Sequence, residues 1–139
     1  MKREAKTLIV DDSMAVLRFM ENTLRDLGVM DITKACNGLQ GTEYFRDALQ
    51  GGMPFSLIFL DVVMPEMDGQ EALKRMRAME NDAGISGCDK ATIIMATSLH
   101  SPSDMMNALI DGDCTDYLVK PFDSGDLRAI LMKYGFTAR

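Results

Sequence analysis

The sequence predicts an α/β fold: a doubly wound, five-stranded parallel sheet covered on both faces by five helices. Short apolar runs alternate with stretches of helical period, a pattern typical of parallel strands joined by right-handed helical crossovers. Several of the runs are continuously apolar, as expected for strands that are buried on both faces. The chain has 139 residues, of which 47% are hydrophobic, enough for about one domain with a substantial core. We therefore predict a single domain over residues 1–139, with a core spanning about 5–135.

Each predicted strand is followed by a predicted helix. The strands are expected at 7–10, 31–36, 55–60, 91–96 and 117–119. The first helix is expected to begin after Ser13, a residue type that caps helix N-termini, and to end at Gly28. The second ends near 51–52 after a turn at 37–38, the third follows a loop over 62–69, the fourth covers 103–111, and the last surrounds 127–134. The polar stretch 81–89 is predicted to be a long surface loop.

Composition excludes several classes of function. The chain has 15 Lys and Arg against 21 Asp and Glu, a net charge of −6, whereas binding to nucleic acid needs clustered basic residues. Its three cysteines form no CxxC motif and are typical of a reducing compartment. No apolar run is long enough for a signal peptide or a membrane span. We therefore expect a cytoplasmic protein, without membrane insertion and without room for an output domain.

Polar side chains occur where four of the predicted strands end. Asp11 and Asp12 follow the first strand, Asp61 follows the third, and Thr97 and Lys120 follow the fourth and fifth. In open α/β folds this carboxyl edge of the sheet holds the ligand site. Each residue alone has an ordinary explanation as a helix cap, a loop residue, a strand-end threonine or a surface lysine. Their joint occurrence at successive strand ends favours a functional site.

The three carboxylates predict a site for a hard cation. If the first and third strands are neighbours, their ends lie about 4.8 Å apart, and Asp11, Asp12 and Asp61 share one pocket. Carboxylates so close together repel one another unless a cation lies between them, and oxygen ligands favour Mg²⁺. With the Thr97 hydroxyl and the Lys120 ammonium beside it, the pocket has the groups that phosphoryl transfer requires. Asp61 is then the nucleophile that forms an acyl phosphate.

Four motifs make this sequence similar to the receiver domains of two-component response regulators, of the single-domain chemotaxis (CheY-like) type. They are VDDS at 10–13, DVVMPEMDG at 61–69, MATS at 95–98 and YLVKPF at 117–122. The resemblance covers roughly residues 5–135 and implies the flavodoxin-like strand order 2-1-3-4-5.

The resemblance also implies a metal site and a phosphoacceptor. Asp61 is the implied phosphoacceptor. Asp12, Asp61 and the backbone carbonyl of Val63 are the implied Mg²⁺ ligands, and Asp11 acts through water.

The remaining implied roles concern the switch. Thr97 is the switch hydroxyl, Lys120 binds the phosphoryl group, and the rotamer of Tyr117 follows Thr97. The peptide bond between Lys120 and Pro121 is often cis in this family. Phosphorylation biases these groups toward an output-competent state.

Partners follow from the same resemblance. The implied phosphoryl donor is a sensor histidine kinase. The implied output is a contact with a downstream protein through the face formed by the 103–111 helix, the fifth strand and the last helix. Chemotaxis is one process that the resemblance suggests, and the expected state is a monomer, with dimerisation on activation left open.

The sequence departs from the family pattern at several positions. Asp113 stands where Gly is usual, and Gln40-Gly41 replaces a common Glu-Ala. Val63 and Leu99 follow Asp61 and Thr97 by two residues, where the family's side chains flank the path of the hydrolytic water. Both are apolar and cannot orient a water molecule, so we expect slow self-dephosphorylation.

Three other functions are compatible with parts of the sequence. A phosphatase of the haloacid dehalogenase type needs a second Asp two residues after the nucleophile, where this chain has Val63. A flavodoxin-like FMN binder is disfavoured because Asp11 and Asp12 would repel the FMN phosphate. A receiver fold that docks partners constitutively, without phosphorylation, stays open as the most serious alternative.

Overall fold

Strands and helices alternate along the chain as the sequence predicts. The computed structural model describes residues 5–62, 67–98 and 114–136, together with Met106 and Leu109. The elements of the described part are β1 (Lys6–Val10), α1 (Met14–Asp26), β2 (Asp31–Ala35), α2 (Gly38–Gln50), β3 (Leu57–Leu60), α3 (Gly69–Asp82), a 3-10 helix (Gly87–Asp89), β4 (Thr92–Thr97), β5 (Asp116–Val119) and α4 (Ser124–Lys133). The predicted 103–111 helix falls, apart from Met106 and Leu109, outside the described residues.

The five strands form one parallel sheet in the order β2-β1-β3-β4-β5, which confirms the predicted topology. The register aligns the last residue of β1 with the last residue of β3, since Val10 lies opposite Leu60. Thr97 at the end of β4 lies opposite Val119 at the end of β5. The residues that follow these strands therefore emerge at one edge of the sheet.

Each face of the sheet carries its own hydrophobic cluster. On β3, Ile58 and Leu60 pack into the cluster beneath α2 and α3. Leu57 and Phe59, which point to the other face because side chains alternate along a strand, pack into the cluster beneath α1 and α4. All four side chains are fully buried or nearly so. The continuously apolar third run is thus a central strand that is covered on both faces.

Side-chain oxygens cap all four labelled helices of the described part at their N-termini. Ser13 accepts a hydrogen bond from Val16 N–H, as the sequence predicts for α1. Asn37, Asp68 and Asp123 cap α2, α3 and α4 in the same way. The pair Asn37-Gly38 was expected to form a turn, but it begins α2 instead. Asn is favoured both in turns and at the N-cap of a helix, so the pair is compatible with either structure.

Several boundaries differ from the expectation; β3, for example, begins at Leu57 rather than at position 55. Helix α3 continues to Asp82 and a 3-10 helix covers Gly87–Asp89, so the predicted 81–89 loop is shorter than expected. The end of α3 is fixed by Glu80, which is buried and accepts a hydrogen bond from Ala91 N–H at 2.7 Å. Thr97, expected just after the fourth strand, is its last residue. None of the helices in the described part of the chain combines the length and hydrophobicity that crossing a bilayer requires.

Candidate functional site

Three carboxylates meet at the carboxyl edge of the sheet. Asp11 and Asp12 follow β1, Asp61 follows β3, and one oxygen of each lies within 4.8 Å of the others. Asp11 and Asp61 are buried, whereas Asp12 is exposed. Neighbouring parallel strands whose last residues lie opposite one another place these residues together, as the sequence predicted. The cluster opens to solvent on the side of Asp12.

Backbone hydrogen bonds fix the orientation of the Asp11 carboxylate. The backbone N–H of Asp11 donates to the carbonyl of Ala35, the last residue of β2, at 3.1 Å. Its Oδ1 accepts a hydrogen bond from the Ser13 N–H at 2.9 Å. Ser13 therefore holds Asp11 with its backbone while its side chain caps α1, so the start of the helix and the carboxylate are positioned together.

An ammonium group lies between the two buried carboxylates. Lys120 follows β5, and its Nζ donates to Asp11 Oδ2 at 2.6 Å and to Asp61 Oδ2 at 3.3 Å. The peptide bond from Lys120 to Pro121 is cis, as the resemblance implies. The lysine thus supplies positive charge to the cluster from two strands away.

Burial and charge shift two pKa values in the cluster. Burial raises the pKa of Asp11, and the neighbouring Asp61 charge adds to the rise, while hydrogen bonds from Lys120 and Ser13 oppose it. Burial by itself would lower the pKa of Lys120, but its hydrogen bond to Asp11 and the charges of both carboxylates outweigh burial and raise it. Lys120 is therefore charged at neutral pH, and a further cation at the cluster would also favour the ionised form of Asp11.

The proposed switch residues lie close to this cluster in the sheet. Thr97 is fully buried, and its carbonyl accepts a hydrogen bond from Lys120 N–H at 2.9 Å. Tyr117 is buried in the cluster beneath α2 and α3, and in the register it lies opposite Met95, two residues before Thr97. The structure therefore ties Thr97 to Lys120 through the backbone, and Tyr117 lies on the same two strands.

Gly69 is a residue of the site that sequence reasoning did not single out. A Cβ at this position would lie 2.0 Å from the carbonyl oxygen of Asp61, and its N–H donates to the Val62 carbonyl at 2.9 Å. Helix α3 thus begins against the backbone of Asp61, an approach that only Gly permits. The signal was the Asp68-Gly69 pair within the second motif, where Asp68 is also the N-cap of α3.

The described donors fit a hard divalent cation. Carboxylate oxygens are the ligands that Mg²⁺ prefers, and it is commonly bound by one or two carboxylates with waters and phosphoryl oxygens completing the shell. Asp11, Asp12 and Asp61 supply such oxygens, with Asp12 on the accessible side. Val63, whose carbonyl was expected to be a ligand, and Leu99 lie outside the described residues.

Comparison with known proteins points to one family. A model of the response regulator receiver domain matches residues 7–132. The chain is 29% identical over 128 residues to the chemotaxis protein CheY of Listeria monocytogenes, covering 92% of this chain and 96% of that protein. It is 30% identical over 125 residues to probable histidine kinase 2 of Oryza sativa subsp. indica, covering 84% of this chain but spanning only 11% of that kinase.

A solved structure has the same fold. The CheX-CheY-BeF3-Mg²⁺ complex from Borrelia burgdorferi contains a chain that matches with a TM-score of 0.76 and 25% identity, over 92% of this chain and 87% of that chain. The strand order, the family match over most of the length and the likeness to CheY agree with one another. The chain therefore belongs to the response regulator receiver domains of two-component systems.

Proposed function

We propose that this protein is a phosphorylation-activated response regulator that carries its phosphoryl group on Asp61. The supporting observation is the charge arrangement at the sheet edge, where the Lys120 ammonium lies 3.3 Å from Asp61 and the carboxylates of Asp11 and Asp12 complete the cluster. A carboxylate nucleophile beside a lysine and oxygen ligands for a cation has the partners that a transferred phosphoryl group needs. The family match and the kinase relatives support the same function.

The proposed donor is a phosphohistidine of a sensor histidine kinase. An oxygen of the Asp61 carboxylate attacks phosphorus, the P–O bond forms as the P–N bond breaks, and the imidazole nitrogen leaves with the electron pair and takes up a proton. Mg²⁺, when bound by Asp12, Asp61 and the Val63 carbonyl with Asp11 acting through water, supplies charge neutralisation for the phosphoryl oxygens. Lys120 gives up its contact with the Asp61 carboxylate and binds one of the phosphoryl oxygens instead.

Phosphorylation acts as a switch in this proposal. The phosphoryl group brings about −1.5 to −2 charge in place of the single negative charge of the ionised Asp61 carboxylate. The Thr97 hydroxyl bonds the new oxygens while the ring of Tyr117 follows. The changed surface, formed by β5, α4 and the 103–111 segment, binds a downstream protein partner. We further propose that the protein works in the cytoplasm as a monomer, and that chemotaxis is the process it serves, as the names of its CheY relatives suggest.

The phosphoacceptor is tested by incubation with acetyl phosphate and Mg²⁺, followed by intact-mass measurement. We expect one phosphoryl adduct on the wild-type chain and none on Asp61→Ala. Asp12→Asn is the matched control, because Asp12 is exposed and is proposed to bind the cation only. That variant should need more Mg²⁺ but still reach the adduct. An adduct that survives Asp61→Ala would contradict the proposal. The absence of an adduct on the wild-type chain would instead favour a receiver fold that docks partners without phosphorylation.

The lifetime of the phosphoryl group is a separate part of the proposal. Val63 and Leu99 offer no polar group to orient the hydrolytic water, so self-dephosphorylation should be slow. Val63→Asn with Leu99→Glu should shorten the lifetime measured after removal of acetyl phosphate. An unchanged or longer lifetime would overturn this part while leaving Asp61 as phosphoacceptor.

A further inference from the structure

We propose that Phe19 is a positioning residue for Lys120, acting through a ring contact with Phe122; this inference rests on the proposed function. Phe19 lies on α1, and its ring centroid is 6.2 Å from that of Phe122, with the ring planes at 52°. Tilted pairs at this separation attract one another beyond the area that they bury. Phe122 follows Lys120 by only two residues, so the contact acts on the short segment that holds the lysine.

The segment 120–122 is held at both ends by the sheet and by α4. At the strand end, Lys120 N–H donates to the Thr97 carbonyl at 2.9 Å. At the helix end, Asp123 and Asp126 form a reciprocal capping box that fixes the start of α4. Between these points, Phe122 is partly buried against the cluster beneath α1 and α4. Its contact with Phe19 links this stretch to α1.

An open groove lies beside the ring pair. It has a volume of about 400 Å³ and lies between α1 and the segment 120–122, where Val16, Ser98 and Pro121 contribute to its walls. Within the described part of the chain, no side chain fills this groove, so Phe122 has room to move into it. The ring of Phe19 borders the same groove and opposes this movement. Phe19 itself is 41% exposed and contributes less to the core than a buried aromatic would.

The lysine held in this way competes with a cation. Its Nζ donates to Asp11 at 2.6 Å and to Asp61 at 3.3 Å, and both carboxylates belong to the cluster that could bind a metal ion. A lysine that is free to withdraw leaves those oxygens more available to Mg²⁺. The same freedom makes it a poorer partner for the phosphoryl group. Loss of Phe19 should therefore change Mg²⁺ affinity and phosphorylation rate in opposite directions, whereas general loosening of the fold would weaken both.

The test compares Phe19→Ala with Tyr44→Ala, which removes an aromatic ring of similar exposure, 38%, from α2. Mg²⁺ alone is titrated calorimetrically into each folded protein, and the rate of phosphorylation by acetyl phosphate is measured separately. Since an aromatic pair is worth about 0.5–1.5 kcal/mol, we expect Phe19→Ala to bind Mg²⁺ about two- to tenfold more tightly. We expect its phosphorylation at saturating Mg²⁺ to be slower by a similar factor. Tyr44→Ala should change neither quantity.

Two further variants keep the test decisive. Phe19→Leu retains apolar volume on α1 but removes the ring contact, so it should show the same two shifts. It replaces Phe19→Ala in the test if that variant does not fold. Phe122→Ala should reproduce them, and adding Phe19→Ala to it should change little more. Unchanged or weaker Mg²⁺ binding by the folded Phe19 variants overturns the inference. If the wild-type chain accepts no phosphoryl group, the proposed function fails, while the Mg²⁺ titration still tests the role of Phe19.

Discussion

An ion pair between Arg77 and Glu80 lies at the edge of the sheet opposite the candidate site. The two side chains are 11% and 3% exposed, and the guanidinium lies 2.6 Å from Glu80 Oε1. Arg77 also donates to the Ala91 carbonyl at 3.0 Å and to the Thr115 hydroxyl at 3.3 Å. The pair thus joins α3 to the residues that precede β4 and β5. We predict that Arg77→Met destabilises the fold strongly.

The magnitude follows from burial. In Arg77→Met, Glu80 keeps the hydrogen bond from Ala91 N–H at 2.7 Å but loses the guanidinium that balances its charge. Removal of one partner from a buried ion pair costs about 3–5 kcal/mol, a large share of a typical stability of about 5–15 kcal/mol. In the double variant with Glu80→Met, both charges are gone, and the main cost is the lost acceptor of Ala91 N–H, about 1–3 kcal/mol. The double variant should therefore be more stable than Arg77→Met.

Urea unfolding followed by far-UV circular dichroism measures these differences, since the chain has no Trp for fluorescence. Arg75→Met is the matched control on the same helix. Arg75 pairs with Glu71 at 2.9 Å, but both side chains are 54% exposed, so its loss should cost about 0–1 kcal/mol. The reasoning is refuted if Arg77→Met costs no more than Arg75→Met, or if the double variant is the less stable of the two Arg77 variants.

Three further predictions concern other residues. Burial would raise the pKa of Asp116, but hydrogen bonds from Lys133 and its neighbours outweigh burial and lower the pKa. The ionised Asp116 therefore stabilises the fold above the unfolded pKa of about 3.9, and this contribution is lost as the pH falls through the lowered pKa of the folded state. Acid titration should therefore show a shallower loss of unfolding free energy in Asp116→Asn, and an unchanged slope would contradict this. Gly69→Ala, which forces a Cβ to 2.0 Å from the Asp61 carbonyl, should slow acetyl phosphate labelling about 100-fold. Labelling of this variant at the wild-type rate would refute the close approach of Gly69 to Asp61. Lys120→Met should also slow labelling, and a wild-type rate would show that the ammonium does not bind the phosphoryl group.

The carboxylate cluster could be predicted from the sequence because it depends on topology alone. Apolar runs mark the strands, and a parallel sheet aligns their carboxyl ends. The family resemblance implies that the first and third strands are neighbours, and Asp11 and Asp61 are the next residues along the chain. No side-chain detail is needed for that step. The same reasoning placed Lys120 at this edge, but not its two hydrogen bonds, which depend on how far its side chain reaches between the carboxylates.

Contacts between distant elements could not be predicted in this way. The polar composition of 81–89 suggested a loop, yet the buried Glu80 carboxylate fixes where α3 ends by bonding Ala91 N–H. The approach of Gly69 to Asp61 and the contact of Phe19 with Phe122 each need the packing of a helix against a loop or strand end. Neither contact leaves a periodic signal in the sequence.

The central claim, that Asp61 carries the phosphoryl group, is tested most directly by reductive trapping. An aspartyl phosphate is an activated acyl group that borohydride reduces to homoserine, so the position of the homoserine marks the phosphorylated residue. The wild-type chain is treated with acetyl phosphate and Mg²⁺, reduced, digested and sequenced by tandem mass spectrometry. We predict homoserine at position 61 and only after phosphorylation. Homoserine at position 11 or 12 instead, or none at position 61 in a phosphorylated sample, would contradict the account.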